Sequence, residues 1–136
     1  MGFPIVRVDR SLRAGPDAPR EARQALRDLC GRVADERFDD LRLLVTELVT
    51  NSLRHGRLAN GAAIDLGVVV APGVVRVEVH DPGIGFQPSI VRKPLEDTQG
   101  WGLYLLGRIA DRWGVVRERS AGPDTCVWFE LDLGNP

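Results

Sequence analysis

Lysine is almost missing from this chain. Lys93, in VRKPL, is the only one, and the other 17 basic residues are arginine. A Walker A loop needs GKS or GKT behind a spaced glycine, so a P-loop nucleotide site is excluded. Cysteine is scarce too. Cys30 and Cys126 form no CxxC or CxxH unit, a spacing that argues against a zinc motif or a disulfide framework. Neither sign of charge dominates, with 18 Lys+Arg against 19 Asp+Glu and a net charge of −1. A generic polyanion binder carries a basic excess or stripe, so no direct contact with nucleic acid is expected. Long apolar runs are absent as well. The longest, residues 68–71 behind Gly67, falls far short of the ~20 residues of a membrane span. The N-terminal MGFPIVRVDR has no apolar run of signal-peptide length. No membrane attachment and a cytoplasmic location are the expectation.

What is present fits one domain spanning residues 1–136, with 43% hydrophobic residues, too many for a disordered chain. A chain of this size buries roughly two-thirds of its unfolded surface. The pattern predicts a strand over 3–8, a Gly/Pro-containing connection over 10–19, and a helix over about 19–37. Asp39 and Asp40 are expected to open a second helix that stops at Gly56. Strands follow over 62–71 and 74–80, joined by a Pro72-Gly73 turn, with Arg76, Glu78 and His80 alternating onto one face. From Asp81 to Gly100 no period is sustained, which reads as a loop long enough to be functional. A third helix over 101–112 and strands over 115–119 and 126–133 complete a β-α-α-β-β-loop-α-β-β order. That order suggests a mixed sheet covered by helices on one face.

Four patches carry polar groups with chemical possibilities. Glu47, Asn51 and His55 are spaced four apart, so each turns only ~40° from the last and the three form one ridge beside an apolar helix face. The same ridge also reads as a polar shoulder, or as Asn51 bonding a neighbouring backbone. Asp81-Pro-Gly-Ile-Gly-Phe86 follows a Val-rich strand. An Asp there can accept from an exocyclic amine, while Gly83 and Gly85 let backbone approach a flat ligand; an ordinary Asp-Pro-Gly turn fits equally. Gly100-Trp-Gly102-Leu103 opens the third helix, where free N–H groups and the dipole favour an anion, or where the chain simply turns into the helix. Thr125 begins the last apolar strand, and its hydroxyl can serve a ligand or the residue can simply be β-favouring.

Taken in order, ELVTNSLRHG, DPGIGF, GWGLYLL and DTCVWFEL resemble the Bergerat nucleotide-binding fold of the GHKL superfamily. DNA gyrase, heat-shock chaperones, histidine kinases and MutL-type repair proteins share that fold. The resemblance covers about residues 35–133. GWGL followed by ADRWGV and a terminal VWFEL looks most like the bacterial anti-sigma-factor serine/threonine kinases. It implies an α+β, two-layer sandwich: a mixed, largely antiparallel sheet with helices on one face. The implied cofactors are ATP and Mg²⁺, with Asn51 as the metal-coordinating residue and Glu47 as the general base toward a substrate hydroxyl. The resemblance also implies that His55 lines the phosphate region without a catalytic proton. Asp81 would accept from the adenine amino group, with Gly83 and Gly85 close to base and ribose. Gly100, Gly102 and Leu103 would hold phosphates over the third helix, and Thr125 would support adenine recognition. Residues 87–99 match a short lid whose Arg92 and Lys93 can reach a γ-phosphate, or can simply be solvated cations of a loop.

Ser52 stands where an alanine is common in the family, and its hydroxyl is expected to bond back to the helix. No segment before Asp39 offers a donor-ready histidine, so a complete histidine kinase is not expected. Implied partners are a sigma factor and its antagonist protein, with a homodimer through the first strand and helix. An alternative function is an ATP-sensing module that binds a partner and transfers nothing.

Overall fold

A computed structural model of the chain describes residues 5–55, 61–83, 101–118 and 124–134. Strand β1 (Val6–Arg13) leads to α1 (Ala18–Ala25), a 3₁₀ turn (Leu26–Leu29) and α2 (Asp35–His55). Strands β2 (Ala63–Ala71) and β3 (Val74–Asp81), helix α3 (Trp101–Ile109), and strands β4 (Arg112–Glu118) and β5 (Asp124–Asp132) follow. The five strands form one sheet in the order β1-β2-β3-β5-β4, and every pairing is antiparallel. The α+β class read from the sequence is therefore observed, with no parallel strand pair among the described strands.

β2 and β3 alternate strictly between two environments, and β5 does so from Val127 on. Ile64, Leu66, Val68 and Val70 of β2 are buried, as are Val75, Val77 and Val79 of β3 and Val127, Phe129 and Leu131 of β5. The period of two sends all of these to one face. Against it lie Leu41, Leu44, Val45, Leu48 and Val49 of α2, with Leu103 and Leu106 of α3. Helix α1 presents Ala18, Ala22 and Ala25, all buried. Their small side chains allow close packing against α2 and β1. Pro19 falls in the first turn of α1, where its missing N–H costs nothing. No described helix is long and apolar enough to cross a membrane.

The other face of the sheet carries no helix among the described residues. It shows Arg76, Glu78, His80, Trp128 and Glu130, with Arg112 and Asp132 at one border. Arg76 lies over the Trp128 ring at 4.4 Å and reaches Glu130 at 3.1 Å. Trp128 in turn covers Gly114, where an added Cβ would sit 2.7 Å from the indole nitrogen. Only a residue without a side chain fits under that ring.

Several boundaries differ from the sequence pattern. β1 continues through DRSLR to Arg13, which pairs with Ala63. Its charged residues hide a strand signal yet suit a sheet edge, where they discourage further pairing. The first helix stops well before residue 37. Cys30 turns extended and Gly31 takes φ +86°, a left-handed conformation that glycine adopts freely. α2 then begins at Asp35, four residues earlier than expected, with Asp35 and Glu36 at its positive end. α3 ends at Ile109 rather than 112. Arg112 instead starts β4, its Nε donating to Glu130 at 2.7 Å.

Candidate functional site

Asp81 is not the first residue of a loop but the last of β3, paired with Thr125 of β5. Both face the helices and are buried, at 3% and 1% exposed. A carboxylate in such a place needs donors around it, and it has two. The Ser52 hydroxyl of α2 donates to Oδ2 at 2.7 Å. The Gly83 backbone N–H donates to Oδ1 at 2.8 Å. The Thr125 hydroxyl then donates to the Gly83 carbonyl at 2.9 Å. Helix α2, the end of β3 and the start of β5 are thus tied at one point by four residues.

Ser52 corrects an expectation. Its hydroxyl bonds the Asp81 carboxylate across the layers, not its own helix. The apolar stripe of α2 places Leu48, Val49 and Ser52 against the sheet, and the hydroxyl there meets the Asp81 carboxylate. Thr46 and Thr50 of the same helix do bond back, to the Arg42 and Thr46 carbonyls; Ser52 differs because a carboxylate, the stronger acceptor, lies within its reach. Replacing Ser52 with alanine is expected to lower unfolding free energy by ~1–3 kcal/mol, because Asp81 Oδ2 loses a buried donor. Urea unfolding of the two chains measures this. A variant as stable as the parent would show that the bond contributes nothing.

Asn51, the preceding residue, is 2% exposed. Its Nδ2 has no hydrogen-bond partner, an uncommon state for a buried amide. An amide offers an oxygen or a nitrogen depending on its rotation. One such oxygen, completed by phosphate and water, is a donor set that Mg²⁺ accepts. The side chain therefore fits a metal–phosphate ligand. Glu47 lies one turn earlier on α2, half-buried, and His55 closes the helix. Gly102 falls in the first turn of α3 and Leu103 is buried at 5% exposure. Helix α3 packs beside α2.

The sequence-derived residues divide accordingly. Asp81, Gly83 and Thr125 meet at the α2–β3–β5 junction, Asn51 is the chain neighbour of Ser52 that joins them from α2, and Glu47 and Leu103 lie on α2 and α3. Gly85, Gly100, Arg92, Lys93 and the rest of the 87–99 segment lie outside the described residues. Two features of the junction are not visible in the sequence: the true partner of Ser52, and Arg117. Arg117 pairs with Thr125 from the β4 side and so shares its face. Its Nε and Nη2 are buried without a hydrogen-bond partner. No sequence signal separates this arginine from the 16 others.

The family model of the histidine kinase-like ATPase domain matches residues 12–131. The anti-sigma F factor of Clostridium acetobutylicum is 28% identical over 94 residues, covering 64% of this chain and 66% of that protein. The anti-sigma F factor of Bacillus thuringiensis is 26% identical over 95 residues, covering 64% and 65%. This chain thus spans just under two-thirds of these relatives' length. Among solved structures, the RsbU and RsbW domains of Rv1364c from Mycobacterium tuberculosis superpose with a TM-score of 0.70. That match has 22% identity and covers 98% of this chain and 34% of the other.

Proposed function

This chain belongs to the histidine kinase-like ATPase domain family, and on that premise we propose that it is an anti-sigma factor with serine/threonine protein kinase activity. In this reading it binds ATP with Mg²⁺, phosphorylates a small antagonist protein and holds a sigma factor. The observation that carries the reading is the buried side chain of Asn51, whose Nδ2 has no partner, next in sequence to the Ser52–Asp81 bond that fixes a buried acceptor. The similarity to two anti-sigma F factors supports the choice of partner class.

The chain's own groups have separable tasks. A carboxylate has about four acceptor positions, and Ser52 and Gly83 occupy two of those on Asp81. The remainder accept from an exocyclic amine, which adenine has where guanine has a carbonyl. Thr125, by holding the Gly83 carbonyl, keeps the turn after Asp81 in the shape that leaves this edge free. Asn51 and the start of α3 orient the phosphates. When bound, Mg²⁺ neutralises charge on the phosphoryl group being transferred. Glu47, one turn from Asn51 on a rigid helix, accepts the proton of the attacking serine or threonine hydroxyl.

Incubating the chain with γ-labelled ATP, Mg²⁺ and the protein that co-purifies with it from the source cell tests this reading. Label on a serine or threonine of that partner is the expected result. Stoichiometric nucleotide binding with no labelled protein would replace it with an ATP-sensing module that transfers nothing.

A further inference from the structure

We propose that Glu78, His80 and Cys126 form a binding site for a zinc-class divalent cation on the open face of the sheet, opposite the helices. The site is independent of the nucleotide reading, because it lies on the other side of the strands. β-Sheet geometry builds it. His80 and Cys126 are directly paired across β3 and β5, so their side chains emerge on the same face. Glu78 is two residues before His80 and shares that face. Their ligand atoms all lie within 4.8 Å of one another. The Cys126 thiol is 3.8 Å from Glu78 Oε1, and His80 Nε2 is 3.9 Å from the same oxygen. Around tetrahedral zinc, with bonds of ~2.0–2.3 Å, such atoms stand ~3.3–3.6 Å apart. Side-chain rotation closes that difference without moving a strand.

The donor set is selective. One imidazole, one thiol and one carboxylate suit zinc and its neighbours rather than Mg²⁺ or Ca²⁺, which prefer oxygen alone. Cys126 is 8% exposed, and its pairing with His80 puts its thiol on the open face, away from the helices. Burial, and then the Glu78 carboxylate, push its thiol up to about 12. A cation reverses this: the thiol gives its proton to solvent as the sulfur–metal bond forms, with no change in oxidation state.

The surroundings leave room for the ion. Arg76 is the nearest described cation on this face, 3.8 Å from Glu78 Oε1, but it is drawn away by Glu130 at 3.1 Å and by the Trp128 ring. Glu78 and His80 also line a surface cleft of about 360 Å³, together with Arg7, Asp9 and Asp65. Water has access there as a fourth ligand. The spacing of cysteines in the sequence excludes a finger-type motif, but it carries no information on ligands that meet across strands. Because His80 and Cys126 adjoin Asp81 and Thr125 in the chain, a bound ion would clamp the β3–β5 pair beside the candidate site.

Cobalt is the direct probe. Titrating the full chain with Co²⁺, in a reductant that does not bind metal, is expected to give one equivalent bound. The spectrum should show a thiolate-to-cobalt charge-transfer band and the visible bands of a four-coordinate ion, both bleached by Zn²⁺. Cys126→Ser should remove the charge-transfer band, and Cys30→Ser should leave it. His80→Gln, at a position exposed enough to spare the fold, should weaken Co²⁺ binding at least about 10-fold. A parent chain that gives no thiolate band would overturn the proposal without reference to any variant. So would a band that survives Cys126→Ser, or unchanged affinity in His80→Gln.

Discussion

Replacing Glu47 with glutamine is expected to lower phosphoryl transfer ~10²–10⁴-fold, the usual contribution of a positioned general base. Glutamine keeps the size of the side chain and removes its basicity. Glu47 is half-buried on the middle of α2, so the substitution neither opens a cavity nor leaves a buried charge unpaired. ATP affinity should therefore stay within about threefold of the parent, a loss confined to the turnover step. Single-turnover labelling with saturating ATP, beside a calorimetric titration of each chain, separates the two quantities. Equal transfer rates in parent and variant would remove Glu47 from the chemistry. A parallel fall in affinity and rate would make it a binding residue instead.

The second large effect concerns Asp81. Asp81→Asn should weaken ATP binding ~10–100-fold, corresponding to the ~1.5–3 kcal/mol of a hydrogen bond to a charged group. The amide still offers one oxygen, which Gly83 N–H and the Ser52 hydroxyl compete for. Its NH₂ then faces the amino group of the base, donor against donor. Discrimination should fall with affinity. The parent should reject GTP because its carbonyl meets the carboxylate, whereas the variant supplies a donor to that carbonyl and narrows the gap between the two nucleotides. Competition titrations with ATP and GTP against both chains read this out. A variant that loses ATP affinity while keeping the full preference over GTP would place base recognition elsewhere.

Much of the fold is legible in the sequence because its signals are local. The alternation in AIDLGVVVA and VVRVEVHD has the period of a half-buried strand, and both strands appear where the pattern puts them. The break at Gly31 is also written in the sequence, but the helical spacing around it is stronger than the single glycine. What escapes a reading of the sequence is the set of ties made between elements. Ser52 meets Asp81 across 29 positions, and Thr125 meets Gly83 across 42. A helical wheel shows Ser52 only as a small polar residue on an apolar face, with nothing to say that a carboxylate faces it. Arg117 shares that limitation, since its position beside Thr125 depends on the β4–β5 register. The three residues on the open face repeat the lesson: Glu78 and His80 alternate visibly, while Cys126 joins them only through strand pairing.

Asn51 and Asp81 belong to one nucleotide site under the proposed function, and isothermal titration of the chain with ATP is the sharpest test of that pairing. With Mg²⁺ present, one ATP should bind per chain. Asn51→Ala should lose most of the Mg²⁺-dependent part of that affinity, and Asp81→Asn the part that distinguishes ATP from GTP. Absence of heat and of binding up to millimolar ATP in the parent chain would refute the nucleotide site and the proposed function with it.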